Sequence, residues 1–166
     1  MKDEIQSQYS SSLNMLKSAI EKCPNSLWTD KSYTNVFWQL SYHTLFYTDL
    51  YLSEKKELFQ VWEKHKDNYE NLGRIGEYGE KLPEIKTPYS KPEILLYHKK
   101  ITKTLSNRVK KINFNSHSGF DWLNFNKVEL QFYNLRHLQH HTGQLCERIR
   151  QNTEERVGWV RLEEEL

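Results

Sequence analysis

Hydrophobic residues recur at three- and four-residue steps in four stretches of the chain, the spacing of one face of an α-helix. The predicted helices run from about Lys2 to Lys22, from about Tyr33 to Lys56, from about Pro92 to Ile112, and from Asn126 to Gln151. Proline suits the first turn of the third stretch, and Pro24 ends the first. No stretch shows a convincing alternation of apolar and polar residues, so no strand is predicted.

The apolar stripe of each helix marks the face that we expect in the core. The stripes comprise Ile5, Tyr9, Leu13, Leu16 and Ile20; Val36, Leu40, His43, Tyr47 and Leu50; Ile94, His98, Ile101, Leu105 and Val109; and Val128, Phe132, Leu135, Leu138, Leu145 and Ile149. Four amphipathic helices predict an all-α four-helix bundle, formed by residues 1–166 as a single domain.

The connection between the second and third predicted helices, from Glu57 to Ser90, is long and weakly patterned. Phe59, Val61 and Trp62 predict a partly packed segment within it. The glycine-rich run at 73–79 lacks a preceding strand and the spacing of a phosphate-binding loop, so we interpret it as an ordinary loop. A connection of this length is expected to cover one end of the bundle and to line a cavity.

Composition and charge bear on the filling of the core and on nucleic-acid binding. The 166 residues are 37% hydrophobic and 28% charged, with a formal net charge of +2, and they include five Trp, ten Tyr and seven Phe. Bulky aromatics can fill the core. The only dense basic run, Arg108–Lys111, lies near the end of a predicted helix, where it suits the helix dipole. We therefore expect no nucleic-acid partner.

The two cysteines and the N-terminal stretch bear on the compartment. Cys23 and Cys146 are far apart and lack the spacing of a disulfide framework or a cysteine metal site. The chain begins with no basic-then-apolar leader and has no apolar run long enough for a membrane span. We expect a soluble, unprocessed cytoplasmic protein with no membrane partner.

Candidate chemistry lies with the histidines. His137 and His141 fall one helical turn apart on one edge of the last apolar stripe, whereas His140 points toward the polar side. Two imidazoles at this spacing can bind one transition metal ion. His43 and His98 both lie on apolar stripes and are rival candidates for a third ligand. Hydrogen-bonded core or interface histidines are the alternative for each of these residues.

The string His137-Leu138-Gln139-His140-His141-Thr142-Gly143-Gln144-Leu145 resembles the HxxxH-[RT]-G-Q-L signature of the DinB-like (DinB/YfiT-like) superfamily. His43, midway along the second predicted helix, is similar to a single histidine of that family. Gly158-Trp159-Val160, after the last helix, is similar to a tail found in some members. The resemblance covers essentially the whole chain in the order and length of its elements.

The resemblance implies a four-helix bundle, often a homodimer, that holds a divalent metal, commonly zinc or nickel, through three histidines. By position these are His43, His137 and His141, and His98 has no counterpart among them. Some members are thiol-dependent transferases that use bacillithiol, mycothiol or glutathione, others are mycothiol-dependent isomerases, and many have no assigned reaction.

The working hypothesis is metal-dependent transfer of a low-molecular-weight thiol to a small electrophile. Three imidazoles leave a metal position open, and a coordinated thiol loses its proton at neutral pH. The alternatives are a metal-dependent hydrolase and a non-catalytic dimeric bundle protein. Tyr47 and Gln144 are candidates to orient the ligand histidines. Trp159 is expected to pack back onto the bundle, ahead of a solvated acidic tail.

Overall fold

The computed structural model describes residues 1–73, 79, 85 and 87–161, and this part of the chain contains helices and no strand. Its elements in chain order are α1 (Lys2–Lys22), α2 (Asn25–Trp28), α3 (Phe37–Tyr51), a single 3-10 turn (Lys56–Leu58), α4 (Lys91–Lys111) and α5 (Lys127–Asn152). The all-α class predicted from the sequence is confirmed for the described residues.

The four long helices pack in a closed arrangement in which α1 and α3 each contact both α4 and α5. The apolar stripes predicted for the first and third helices are buried throughout in α1 and α4. Aromatic side chains of α3, among them Phe37, Trp38 and Tyr42, fill much of the space between the helices. Burial of these large rings is the main source of stability for such an arrangement.

Local sequence signals account for several helix ends. The Ser90 hydroxyl accepts from the backbone N–H of Glu93, whose carboxylate accepts in return from the Ser90 N–H, so a capping box begins α4. Pro92 lies in the first turn, as predicted. Asn126 caps α5 through its side-chain oxygen, which accepts from the backbone N–H of Glu129.

The second long helix is shorter than predicted. It begins at Phe37 rather than about Tyr33 and ends at Tyr51 rather than about Lys56. Beyond its end, the carbonyls of Ser53 and Glu54 accept hydrogen bonds from the buried Lys127 ammonium, which competes with the backbone N–H groups that would donate to them in a longer helix. Periodicity alone could not reveal this competition, because its donor is distant in sequence.

The predicted linker after the first helix also contains an element that the pattern did not predict. The short helix α2 buries Leu27 and Trp28, and the Trp28 indole N–H donates to the Tyr89 carbonyl at 2.8 Å. A buried indole that finds a hydrogen-bond partner stabilises the turn around it. One tryptophan therefore fixes the path of the chain into α3.

The buried face of α5 differs from the predicted stripe. Phe132 is 61% exposed, whereas Gln131 and Asn134 are buried. The Tyr9 hydroxyl donates to the Gln131 side-chain oxygen at 3.0 Å, and the Asn134 amide donates to the Thr48 carbonyl at 3.2 Å. Because the Gln131 side chain and the NH2 group of Asn134 have partners, the helix can turn this polar edge inward and leave a phenyl ring outside.

The long connection packs against α3 in the part that the structure describes. Trp62 is buried, as predicted, but Val61 is half exposed. Most of the glycine-rich run at 73–79, which we interpreted as a loop, lies outside the described residues. Among the helices of the described part, none combines the length and the apolar character needed to span a membrane.

The C-terminal segment departs from expectation at Trp159. Its side chain is 72% exposed and does not pack onto the helices, so that prediction was wrong. Val157, two residues earlier, makes the contact with the core instead. The acidic tail at 162–166 lies outside the described residues.

Candidate metal centre

Three histidines from two helices converge on one point. His43 lies midway along α3, and His137 and His141 lie one turn apart on the facing side of α5. The Nε2 atoms of His43 and His137 are 3.0 Å apart, and one nitrogen from each of the three rings lies within 4.8 Å of the others. His141 is buried, while His43 and His137 are partly buried. The three residues predicted from the sequence are therefore brought together, in an arrangement that could hold a metal ion.

A backbone carbonyl fixes the orientation of the His43 ring. His43 Nδ1 lies 2.5 Å from the Glu70 carbonyl oxygen, which can only accept, so Nδ1 carries the proton. The lone pair of Nε2 then points toward the other two rings. This is the arrangement in which a histidine binds a metal through Nε2 while its other nitrogen donates to an outer partner.

The segment 70–73 is held by hydrogen bonds to the first half of α3 and to Asn35, which precedes that helix. The Gln39 side-chain amide donates to the Asn71 carbonyl at 2.8 Å, and the Gly73 N–H donates to the Asn35 side chain at 2.6 Å. Arg148 of α5 donates to the Asn35 carbonyl at 2.7 Å. Successive contacts therefore hold the carbonyl of Glu70 in place over His43.

Gln144 orients the second imidazole. His141 Nδ1 is 2.8 Å from the Gln144 side-chain oxygen and donates to it, which again leaves Nε2 as the nitrogen with the free lone pair. This is the contact expected of Gln144 from the sequence. Tyr47 also contacts the site, with its ring centroid 4.7 Å from that of His43 and 5.5 Å from that of His137.

His137 differs from the other two in its outer contacts. Its Nδ1 is buried and has no hydrogen-bond partner among the described residues. Because His43 carries its proton on Nδ1, a hydrogen bond between the two Nε2 atoms requires His137 to carry its proton on Nε2. That proton occupies the position at which the nitrogens of the three rings converge.

Burial keeps all three imidazoles neutral, because desolvation penalises the charged form. Burial and the neighbouring imidazoles together lower the pKa of His43 to about 4, against the opposing effect of its hydrogen bond to the Glu70 carbonyl, and they lower the pKa of His137 to about 3. Burial also lowers the pKa of His141, while its hydrogen bond to Gln144 acts in the opposite direction. A neutral imidazole is the form that binds metal, so near neutral pH protons compete weakly for these nitrogens.

The remaining candidates lie elsewhere. His98 is buried, and its Nε2 donates to the Leu13 carbonyl at 2.9 Å. It is therefore a hydrogen-bonded core histidine and does not belong to the cluster. His140 is exposed, as predicted from its angle on the helix. Burial raises the pKa of the Cys23 thiol to about 12 and also raises that of Cys146, so neither is an activated thiol.

The Glu70 carbonyl is the functional group that sequence reasoning missed. Any residue offers a backbone carbonyl, so its identity carries no signal, and the weak pattern around it gave no placement. Comparison of the chain with protein-family models, with curated proteins and with solved structures gave no match in any of the three. A function must therefore be argued from the residues and geometry of this chain.

Proposed function

We propose that the chain is a DinB-like four-helix bundle that binds one divalent metal ion, zinc or nickel, and transfers a low-molecular-weight thiol to a small electrophile. The ligands are His43, His137 and His141. The observation that carries the proposal is their convergence, with two of the three rings already turned by outer hydrogen bonds so that Nε2 faces the common point. The resemblance of the α5 string to the DinB-like signature supports the same ligand set.

The geometry of the three rings fits a metal of this size. In a tetrahedral zinc site with Zn–N bonds of about 2.0–2.1 Å, two ligand nitrogens are roughly 3.3 Å apart. The His43 and His137 Nε2 atoms are 3.0 Å apart, and a movement of a few tenths of an ångström separates them enough. Replacing the proton between these atoms by a metal also lets His137 move its own proton to Nδ1.

Three histidines form a site of the catalytic kind, because structural zinc usually has four protein ligands. A bound divalent cation would favour the thiolate form of a thiol cosubstrate and stabilise charge on the reacting groups. The chain itself supplies the orientation: Glu70 and Gln144 fix two ligand rings, and Tyr47 forms an aromatic wall beside two of them. The high pKa of both cysteine thiols is the reason that the nucleophile is assigned to a cosubstrate.

The proposed reaction forms one bond and breaks one. The thiolate sulfur bonds to the electrophilic carbon with its own electron pair. The bond from that carbon to the leaving group breaks in the same reaction, and the leaving group departs with the bonding pair. The proton of the thiol goes to solvent. No oxidant or reductant is needed.

Metal binding is tested first. The purified protein, stripped with a chelator, is titrated with zinc and with nickel, and we expect one ion per chain and loss of high-affinity binding in His43→Ala and His141→Ala. His140→Ala is the matched control, because His140 is exposed and adjacent to His141 in sequence. Equal metal binding by His141→Ala and the wild-type protein would remove the site.

Activity is tested with metal-loaded protein, glutathione or bacillithiol, and 1-chloro-2,4-dinitrobenzene as a chromogenic electrophile. We expect thiol addition above the rate of the His141→Ala variant. A product that gains water instead of the thiol would assign a hydrolase. Stoichiometric metal without either reaction would leave only the non-catalytic alternative.

The homodimer that the resemblance implies is a separate part of the proposal. Light scattering coupled to size-exclusion chromatography measures the mass directly. A mass of about twice the 20.1 kDa chain is expected, and a monomer at working concentration would rule this part out without affecting the metal site.

A further inference from the structure

A second candidate site lies at the C-terminal end of α3. A partly open cavity of about 720 Å³ is lined by the end of α3, the segment 53–60, the second half of α4 and the start of α5. This volume is within the range of small-molecule sites. Asp49, which is in its wall, is six residues beyond His43, roughly 9 Å along the helix. The cavity is therefore distinct from the histidine cluster.

One wall of the cavity holds an ordered group of charges. The buried Asp49 carboxylate accepts hydrogen bonds from Arg108 and from the Tyr97 hydroxyl, and it lies 3.7 Å from the Lys100 ammonium. One carboxylate thus holds two cations, so the group of three side chains carries one uncompensated positive charge. Both Arg108 and Lys100 line the cavity.

Lys127 adds a second uncompensated positive charge. The residue is 4% exposed, and its ammonium donates to the carbonyls of Ser53 and Glu54 and lies 5.5 Å from the Phe120 ring centroid. No carboxylate lies within ion-pair distance of it among the described residues. It also occupies the first position of α5, where the helix dipole disfavours a cation.

A buried ammonium without a counter-ion, at the positive end of a helix, lowers the stability of the folded chain. Such a cost is expected where the charge has a function. Burial lowers the pKa of Lys127, and the exposed Glu54 carboxylate only partly opposes this effect. An anion in the cavity would compensate both this charge and the excess charge near Arg108. Local departures from favourable electrostatics are expected at functional sites.

We infer that this cavity binds a small organic anion. Its carboxylate or phosphate group interacts with Lys127 and Arg108. Its apolar body packs against Tyr51, Leu52 and Phe59, which also line the cavity. The site needs no metal, and it goes beyond the proposed function.

The test is a titration of metal-free protein with benzoate, with phenyl phosphate and with the neutral benzyl alcohol. Binding is measured by NMR or calorimetry. We expect saturable binding of at least one anion and at least tenfold weaker binding of benzyl alcohol. Lys127→Met should weaken binding of the preferred anion at least tenfold. Lys103→Met is the matched control, because it removes one positive charge from an exposed position of α4 outside the cavity.

A second variant guards against loss of folding in Lys127→Met. Thr104→Trp places an indole on the cavity wall from an exposed position, so it should block binding while the helical circular dichroism is kept. The inference is overturned if neither anion saturates the wild-type protein, or if both variants bind as the wild-type protein does. Binding should persist in His43→Ala, which separates this result from the fate of the metal site.

Discussion

Gln144→Leu should weaken zinc binding without affecting the fold. The Gln144 side chain is exposed on α5, and its oxygen accepts from His141 Nδ1 at 2.8 Å. Leucine has a similar helix propensity and similar length but no acceptor. The change therefore removes the outer partner of one ligand and little else.

The size of the effect follows from the exposure of the acceptor. Loss of an outer hydrogen bond to a ligand histidine typically costs 10- to 100-fold in metal affinity. Water can reach Gln144, so it can replace part of the lost interaction with His141. We therefore expect the lower end of the range, about tenfold, which corresponds to about 1.4 kcal/mol. Surface changes of this kind alter the free energy of unfolding by roughly 0.5 kcal/mol or less.

The assay is competition for zinc against a chromogenic chelator, with thermal unfolding of the metal-free proteins in parallel. Gln151→Leu is the matched control, since this exposed glutamine of the same helix donates to Glu147 and contacts no ligand. Gln144→Glu keeps an acceptor and should retain the affinity. A dissociation constant for Gln144→Leu within twofold of the wild-type value would refute the reasoning about His141.

Three further predictions concern the stability of the metal-free protein. The pKa of His43 is about 4 and that of His137 about 3 in the folded state, against 6.5 for an unperturbed histidine. At pH values between the folded and the unfolded pKa, the unfolded chain therefore binds more protons than the folded chain. Denaturant titrations should show stability that is present above pH 6.5 and is lost as the pH falls toward 4, by about 1 to 2 kcal/mol per histidine at pH 5. His98→Leu should cost about 0.5 to 1.5 kcal/mol, because it removes one hydrogen bond to the Leu13 carbonyl, which keeps its helical donor within α1. Zinc stoichiometry should be unchanged, and loss of zinc would make this histidine part of the site. Gly119→Ala should lower the melting temperature clearly, because Gly119 has φ +85° and an added Cβ would clash with the backbone carbonyl oxygen of Glu54. An unchanged melting temperature would show that this turn can shift to make room for the methyl group.

The helical class and three of the four long helices followed from apolar periodicity, and the differences have a common cause. The carbonyls just beyond the end of α3 accept hydrogen bonds from the ammonium of Lys127, and amides on the inward edge of α5 bond to Tyr9 and Thr48. Each is a polar contact between residues distant in sequence. Periodicity counts apolar positions, so it placed Phe132 in the core and left the buried amides outside it.

The histidine cluster was predictable in part. The one-turn spacing of His137 and His141 is visible in the sequence, and a helical angle correctly separated His140 from them. Choosing His43 over His98 from the residues alone was not possible, since both lie on apolar stripes, and only the resemblance favoured His43. The structure separates them by their partners: His98 donates to a carbonyl inside the core, whereas His43 Nε2 faces another imidazole.

The segment that orients His43 belongs to the least patterned part of the chain, and this has a thermodynamic consequence for the proposed site. The Glu70 carbonyl can raise metal affinity only while the segment 70–73 stays fastened to Gln39 and Asn35. Linkage is reciprocal, so a metal that binds more tightly with this segment in place must stabilise that placement by the same free energy. The segment 70–73 would then be held in place by a contact made at His43. The segment 70–73 is in this sense part of the candidate site, because it orients a ligand through the Glu70 carbonyl.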